Sequence, residues 1–205
     1  MYMPVQFKED RVPLLHETIR RIAFGTLVTH GPDGLIASHV PMLIDAESGP
    51  YGTLSGHLAR PNPQGRQAVE GEALAIFLGP DAYISPSLYA TKRASGKVVP
   101  TWNYAAIHAY GPLSFYTDPD RLLALVTRLT EVHEAGRAAP WAVSDAPADF
   151  VRAQLNGIVG FELPITRLEG KWKMSQNRSA EDRAGVAAGL EDREVAEIVA
   201  SRSSP

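Results

Sequence analysis

Three clusters in this sequence combine cations, amides and aromatic rings at spacings that could hold a small planar anion. In the first, Ser95-Gly-Lys-Val-Val-Pro-Thr-Trp-Asn-Tyr104, Pro100 sets an extended backbone. Thr101 and Asn103 then share one strand face, and Trp102 and Tyr104 the other. A hydroxyl and an amide on one face can bind a phosphate or a ring edge. The same pattern also suits a barrel strand whose polar groups only cap their neighbours. The second cluster, Tyr83-Ile-Ser-Pro-Ser-Leu-Tyr-Ala-Thr-Lys-Arg93, carries two tyrosines, several hydroxyls and the Lys92-Arg93 pair. It is too irregular for a long strand or helix and too aromatic for a free linker. It predicts a loop folded over a ligand or against a second subunit. The third pairs Gly56-His-Leu-Ala-Arg60 with Lys171-Trp-Lys-Met-Ser-Gln-Asn-Arg178. Lys171 and Lys173 alternate about Trp172, and Ser175 to Arg178 offer four hydrogen-bonding groups in succession. Arg60 and Arg178 suit bidentate phosphate binding; a solvated basic edge is the alternative for each.

Acidic residues avoid these clusters. Ser48–Val69, Ala82–Thr117 and Gly170–Arg178 span 67 of the 205 residues and contain no Asp or Glu. They hold eight of the chain's 20 Lys and Arg, so the remainder has 12 basic against all 23 acidic residues, a formal balance of −11. Positive charge is thus left unopposed where aromatics and amides concentrate, as a site for a small anion requires.

Several chemistries are disfavoured. The sequence has no cysteine, which excludes disulfides, thiolate metal sites and cysteine nucleophiles. His39, His57 and His108 fall in expected strands without a metal-ligand spacing, and His133 sits at an expected helix end, so no metal site is expected. No nucleophile elbow, phosphate-binding loop or glycine-rich dinucleotide fingerprint occurs. A net charge of −3 and a pI near 6.1 argue against gripping duplex DNA through its phosphates, which usually needs a pI above about 9. No apolar run approaches the roughly 20 residues of a membrane span, and the amino-terminal residues do not resemble a signal peptide. The expected compartment is the cytoplasm.

The elements that must position the clusters are mainly strands. A helix is expected after Asp10, with Val12, Leu15, Ile19 and Ile22 on one face. Thr26–His30 and Leu35–Ile44 flank a Pro-Asp-Gly turn and predict a hairpin, with Pro41 at an edge or bulge. Further strands are expected at Gly52–Leu58, at Ala73–Leu78 and across Thr101–Tyr116, the last broken near Gly111-Pro112. Asp118-Pro-Asp120 opens the clearest helix, and a second runs from about Ala146 to Leu155. Ile158–Leu168 reads as one strand ending in a Glu169-Gly170 turn. A single domain over residues 1–190 follows, with 191–205 a helix or tail that has a loose, Ser-rich end. The fold class is α+β and mainly β, a small barrel with added helices.

Five ordered motifs sharpen this reading: Gly56-His-Leu-Ala-Arg60 with Asn62-Pro-Gln64, Tyr83-Ile-Ser-Pro-Ser, Val99-Pro-Thr-Trp-Asn-Tyr, Pro140-Trp-Ala-Val-Ser-Asp, and Gly170-Lys-Trp-Lys-Met-Ser-Gln-Asn-Arg. Together they resemble the PaiB family of FMN-binding negative transcriptional regulators, co-linearly from Met1 to about Leu190. Pro61 and Leu88 depart from the family pattern, where Ala and Trp are expected. The resemblance implies an FMN-binding split β-barrel, similar to pyridoxamine-phosphate oxidases, that forms a homodimer with flavin at the subunit interface. Carried onto this sequence, the cofactor-binding residues are His57, Arg60, Lys92, Thr101, Trp102, Asn103, Tyr104, Lys173, Gln176 and Arg178. The implied role is negative transcriptional regulation. The alternatives are a flavin-dependent oxidoreductase acting on a small molecule, or a haem-binding barrel ligated by a histidine such as His57.

Overall fold

The structure, a computed structural model, describes residues 1–202; the last three residues of the expected Ser-rich end lie outside them. The strands are β1 (Lys8–Glu9), β2 (Phe24–Gly31), β3 (Gly34–Asp45), β4 (Thr53–Ala59), β5 (Ala73–Ile84), β6 (Thr101–Gly111), β7 (Ser114–Tyr116), β8 (Ile158–Pro164) and β9 (Arg167–Lys173). The helices are α1 (Val12–Ile22), α2 (Ala90–Ser95), α3 (Pro119–Glu134), α4 (Ala148–Leu155), α5 (Ala180–Gly189) and α6 (Arg193–Ser201). The strands hydrogen-bond in the order β1-β9-β6-β5-β2-β3-β4-β8-β7. No helix among the described residues is long and apolar enough to cross a membrane. The chain divides into two compact units. One holds Met1–Leu15, Leu78–His108 and the described residues from Glu169 to Arg202; the other holds His16–Phe77 and Ala109–Leu168.

In the second unit the predicted hairpin forms, with Gly31 opposite Gly34 and Phe24 opposite Pro41. Pro41 is neither at an edge nor in a bulge. It marks the place where β3 leaves the β2 ladder and begins pairing with β4, at Met42 opposite Gly56. A residue without an N–H is tolerated there because one ladder is ending as the other begins. The neighbouring backbone is tightly approached: a Cβ on Gly56 would lie 2.6 Å from the Phe161 ring and 2.8 Å from the Pro41 carbonyl oxygen. Leu27, Met42, Leu54, Leu58 and Phe161 are essentially inaccessible and form the core of this unit. Each such side chain contributes about 1.5–3 kcal/mol through burial.

The Asp118 carboxylate accepts the Arg121 amide (2.9 Å) and Pro119 opens the first turn, so α3 begins where the sequence predicted. Its buried face, Leu125 and Leu129, packs on Leu43 with Tyr116 alongside. The Arg121 guanidinium lies 3.9 Å from the Tyr116 ring centroid and pairs with Glu162 at 2.9 Å.

Two expectations about the strands are corrected. The strand expected at Ala73–Leu78 continues to Ile84 as β5. The strand expected over Ile158–Leu168 ends at Pro164, and β9 starts at Arg167, so Glu169 and Gly170 lie inside a strand and not in a turn. Gly170 is there because Glu9 of β1 passes opposite it: a Cβ would sit 2.7 Å from the Glu9 carbonyl and 2.4 Å from Leu15. The carboxy-terminal region is two packed helices, with Val195, Ala196 and Val199 of α6 buried.

The first unit is tied together by polar contacts between parts far apart in sequence. The Asp182 carboxylate of α5 accepts the Thr91 amide (2.8 Å) and hydroxyl (2.9 Å), fixing α2. Glu9, buried in β1, takes the Arg11 guanidinium (2.7 Å) and that of Arg202 beyond α6 (2.8 Å). Burial alone would raise the Glu9 pKa, but the hydrogen bonds from Arg11 and Arg202 outweigh it and hold the group at about 2. Asp10, expected to cap α1, pairs with Lys8 at 3.0 Å, while Glu9 accepts the Arg11 amide (3.1 Å).

Candidate functional site

In the first unit, β6 and β9 deliver the residues that best fit an anion site. Lys173 donates to the Thr101 hydroxyl (2.5 Å) and to the Trp102 carbonyl. Its ammonium is pushed below the ordinary lysine pKa by burial, and further by the like charges of Lys171 and Arg178. The groups that shift Lys173 are its burial and two further cations, so it sits in a locally positive field. Trp102, 54% exposed, meets Tyr83 edge to face with ring centroids 6.0 Å apart. Two exposed aromatic side chains in edge-to-face contact, on a strand whose Thr101 hydroxyl and Trp102 carbonyl accept from a half-buried ammonium, offer elements suited to a planar ring with an anionic tail.

Around this core the remaining predicted residues take different parts. The Lys171 ammonium lies 5.2 Å from the Tyr104 ring centroid and donates to the Tyr2 carbonyl at 3.1 Å. The Arg178 guanidinium stacks 4.7 Å above the Tyr89 ring, and Tyr89 is fully buried. Lys92 is exposed on α2, where it donates to the Ser87 hydroxyl at 2.9 Å. Asn103 and Gln176 serve the framework. Asn103, 1% exposed, exchanges hydrogen bonds with the Ser175 hydroxyl at 3.0 and 3.3 Å. Gln176 is buried and latches its own turn, accepting the Met174 amide and donating to the Trp172 carbonyl, both at 2.6 Å. The turn needs this latch because Ser175 has a left-handed backbone, φ 63°.

His57 and Arg60 belong to the second unit. β4 alternates, with Leu54, Gly56 and Leu58 facing the core and Ser55 and His57 on the opposite face. Nδ1 of His57 and Nε of Arg60 are buried and have no hydrogen-bond partner among the described residues. Burial holds the His57 imidazole below its ordinary pKa, so it is neutral at pH 7. Asn62 and Gln64, from the same motif, shape the loop after β4. Asn62 caps a short 3-10 turn by accepting the Gln64 amide at 3.0 Å and donates to Ser38 at 2.9 Å. The buried Gln64 amide donates to the Leu27 carbonyl (2.9 Å) and the Thr29 hydroxyl (3.1 Å). Other histidines are engaged: His16 with the Tyr51 carbonyl, His39 with Thr26, and His30 with Glu70.

Tyr83 and Lys171 belong to the clusters that the sequence singles out but not to the cofactor-binding set carried over from the family. Tyr83 lies 19 residues from Trp102, and only the pairing of the two rings brings them together.

The fold is that of the FMN-binding split barrels, mainly β with added helices. The chain belongs to the family described as "Putative FMN-binding domain", whose profile matches residues 1–167. An uncharacterized protein of Emericella nidulans is 35% identical to it over 94% of this chain and 91% of the relative. The "Protease synthase and sporulation protein PAI 2" of Bacillus subtilis is 34% identical over 95% of this chain and 91% of its own length. Among solved structures, the FAD and haem binding protein from Mycobacterium smegmatis superposes with a TM-score of 0.59 over 89% of this chain and 80% of that one, at 16% identity.

Proposed function

We propose that the protein binds FMN, with the flavin phosphate neutralised by the Lys173, Lys171 and Arg178 cluster and the ring against Trp102 and Tyr83. The observation that carries this reading is the half-buried Lys173 ammonium, held by Thr101 and the Trp102 carbonyl in the field of two further cations. A phosphate dianion is the counter-ion such a field favours, and it would return the Lys173 pKa toward its ordinary value. Thr101 keeps the ammonium in place, and Asn103 and Gln176 keep β6 and the turn after β9 in register beneath it. Bound FMN supplies hydride and electron transfer; the chain's part is to bind, orient and shield it. The activity that follows is a flavin-dependent oxidoreduction of a small molecule. Haem ligated by His57 is the alternative cofactor, and the name of the Mycobacterium smegmatis structure gives it standing.

The assembly we infer is a homodimer. Trp102 and Tyr83 are 54% and 51% exposed, and Val99 is 64% exposed, a concentration of apolar surface on the first unit that a second copy would cover. The regulatory role implied by the family resemblance would act through the small-molecule reaction, because a net charge of −3 disfavours a direct grip on DNA. Gel-shift titration at low salt with the gene's own upstream DNA is expected to give no shift. A shift that weakens steeply with salt would replace this reading with direct binding.

The cofactor reading is tested by titrating FMN into the protein and into Lys173→Met. The substitution is expected to weaken binding roughly 10- to 100-fold, the range of one charge-assisted hydrogen bond at ~1.5–3 kcal/mol. Equal affinity in both proteins would remove Lys173 from the site.

A further inference from the structure

The carboxy-terminal helices of the first unit are fastened, at two points, to the elements that support its cations. These helices lie beyond residues 1–167, which the family profile matches, as do Lys171, Lys173 and Arg178 themselves. Val186 of α5 and Val195, Ala196 and Val199 of α6 are buried, and the Arg183 guanidinium of α5 donates to the Arg202 carbonyl just beyond α6 at 2.7 Å.

At the first point, Asp182 of α5, 3% exposed, accepts the Thr91 amide and hydroxyl of α2. Thr91 stands two residues after Tyr89, the buried ring over which the Arg178 guanidinium stacks. At the second, Arg202 meets β1 and β9 together. Its guanidinium donates to the buried Glu9 carboxylate at 2.8 Å and lies 5.2 Å from the Trp172 ring centroid. The β1–β9 ladder ends at the Lys8–Lys171 pair, and Arg202 makes its contact one residue further on, at Trp172. Trp172 separates Lys171 from Lys173 along β9, so a group that seats its ring also sets the two neighbouring lysines. Asp182 and Arg183 are consecutive, and a short polar path therefore runs from Thr91 through α5 to Arg202 and Glu9.

We propose that Asp182 and Arg202 are positioning residues for the anion site. Through them the α5–α6 pair holds Tyr89 against Arg178, and Trp172 between Lys171 and Lys173, so that the three cations act on one phosphate. Each works through other residues, Asp182 through Thr91 and Tyr89, and Arg202 through Trp172. The inference rests on the FMN reading of the cluster.

FMN titration of the full chain and its variants across pH tests it. In parallel, the Lys173 ammonium is followed by NMR in lysine-labelled protein without flavin, its signal assigned by Lys173→Met. Arg202→Leu is expected to weaken FMN about tenfold. It should also move the Lys173 titration up toward the ordinary lysine range, because β9 loosens and the ammonium gains water. The alkaline loss of FMN affinity then moves to higher pH. Arg202→Lys, which keeps a cation for Glu9 and Trp172, should restore most of the affinity. Asp182→Asn should weaken FMN about tenfold while leaving the Lys173 titration in place, since its effect passes through Arg178. Thr91→Val removes one of the two hydrogen bonds to Asp182 and should give the same pattern at about threefold, which keeps the test standing where Asp182→Asn fails to fold. A merely structural role would lower the unfolding temperature of Arg202→Leu and leave the Lys173 titration unmoved. That result, or parental FMN affinity in both Arg202→Leu and Asp182→Asn, overturns the proposal. A parent chain that binds no FMN, while Arg202→Leu still moves the Lys173 titration, would remove the flavin and uphold the positioning of Lys173.

Discussion

Lys173 and Glu9 show how one sequence uses buried charge in opposite ways. Glu9 is satisfied by two guanidiniums and sits at about pH 2, so its contribution to stability is complete above the unfolded value of 4.5 and is lost as pH falls from there toward 2. At most about 3 kcal/mol is involved. Glu9→Gln should therefore be less stable than the parent at pH 7 and nearly equal to it at pH 2, as chemical denaturation at the two pH values will read. His57, neutral through burial, adds a second acid sensitivity: its protonation is favoured in the unfolded chain, so stability falls as pH drops below the ordinary histidine value of 6.5. His57→Leu should flatten that part of the profile. Lys173, by contrast, is held below its ordinary pKa by burial and two like charges, which makes FMN affinity decline at alkaline pH earlier than an ordinary lysine would allow.

At the scale of elements, the sequence was legible wherever a local signal set the structure. The Asp118-Pro119 cap, the Pro-Asp-Gly hairpin and the break at Gly111-Pro112 all lie within a few residues of their consequences. Gly170 was misread because a glycine after a charged residue looks like a turn, while its actual cause is β1, some 160 residues earlier in the chain. Gly170→Ala distinguishes the two readings. A turn would tolerate it, whereas the observed contacts predict a loss of about 1–3 kcal/mol from overpacking, measurable by thermal unfolding. The site was partly legible for the same reason. Alternation along β6 separates Thr101 from Trp102, but Asn103 is bound to Ser175 72 residues away, and no spacing rule reveals that. The pairing of Tyr83 with Trp102 also depends on which strands become neighbours, which local patterns leave open.

For the molecule as a whole, the acid-free stretches separate two uses of charge. The residues outside them carry a formal balance of −11, and the eight cations within them include the Lys171, Lys173 and Arg178 cluster. That distribution suits a small anion and disfavours a long polyanion. If a second copy covers the exposed Trp102–Tyr83 surface, Trp102→Asp should convert a dimer to a monomer in sedimentation velocity, with the fold retained. The central claim rests on FMN itself. Purified protein should be titrated with FMN at low ionic strength while flavin absorption and fluorescence are followed. We predict saturable binding at micromolar or tighter concentration, with a shifted visible spectrum, and weaker binding as salt rises. No binding at high micromolar FMN, or binding indifferent to both salt and Lys173→Met, would contradict it.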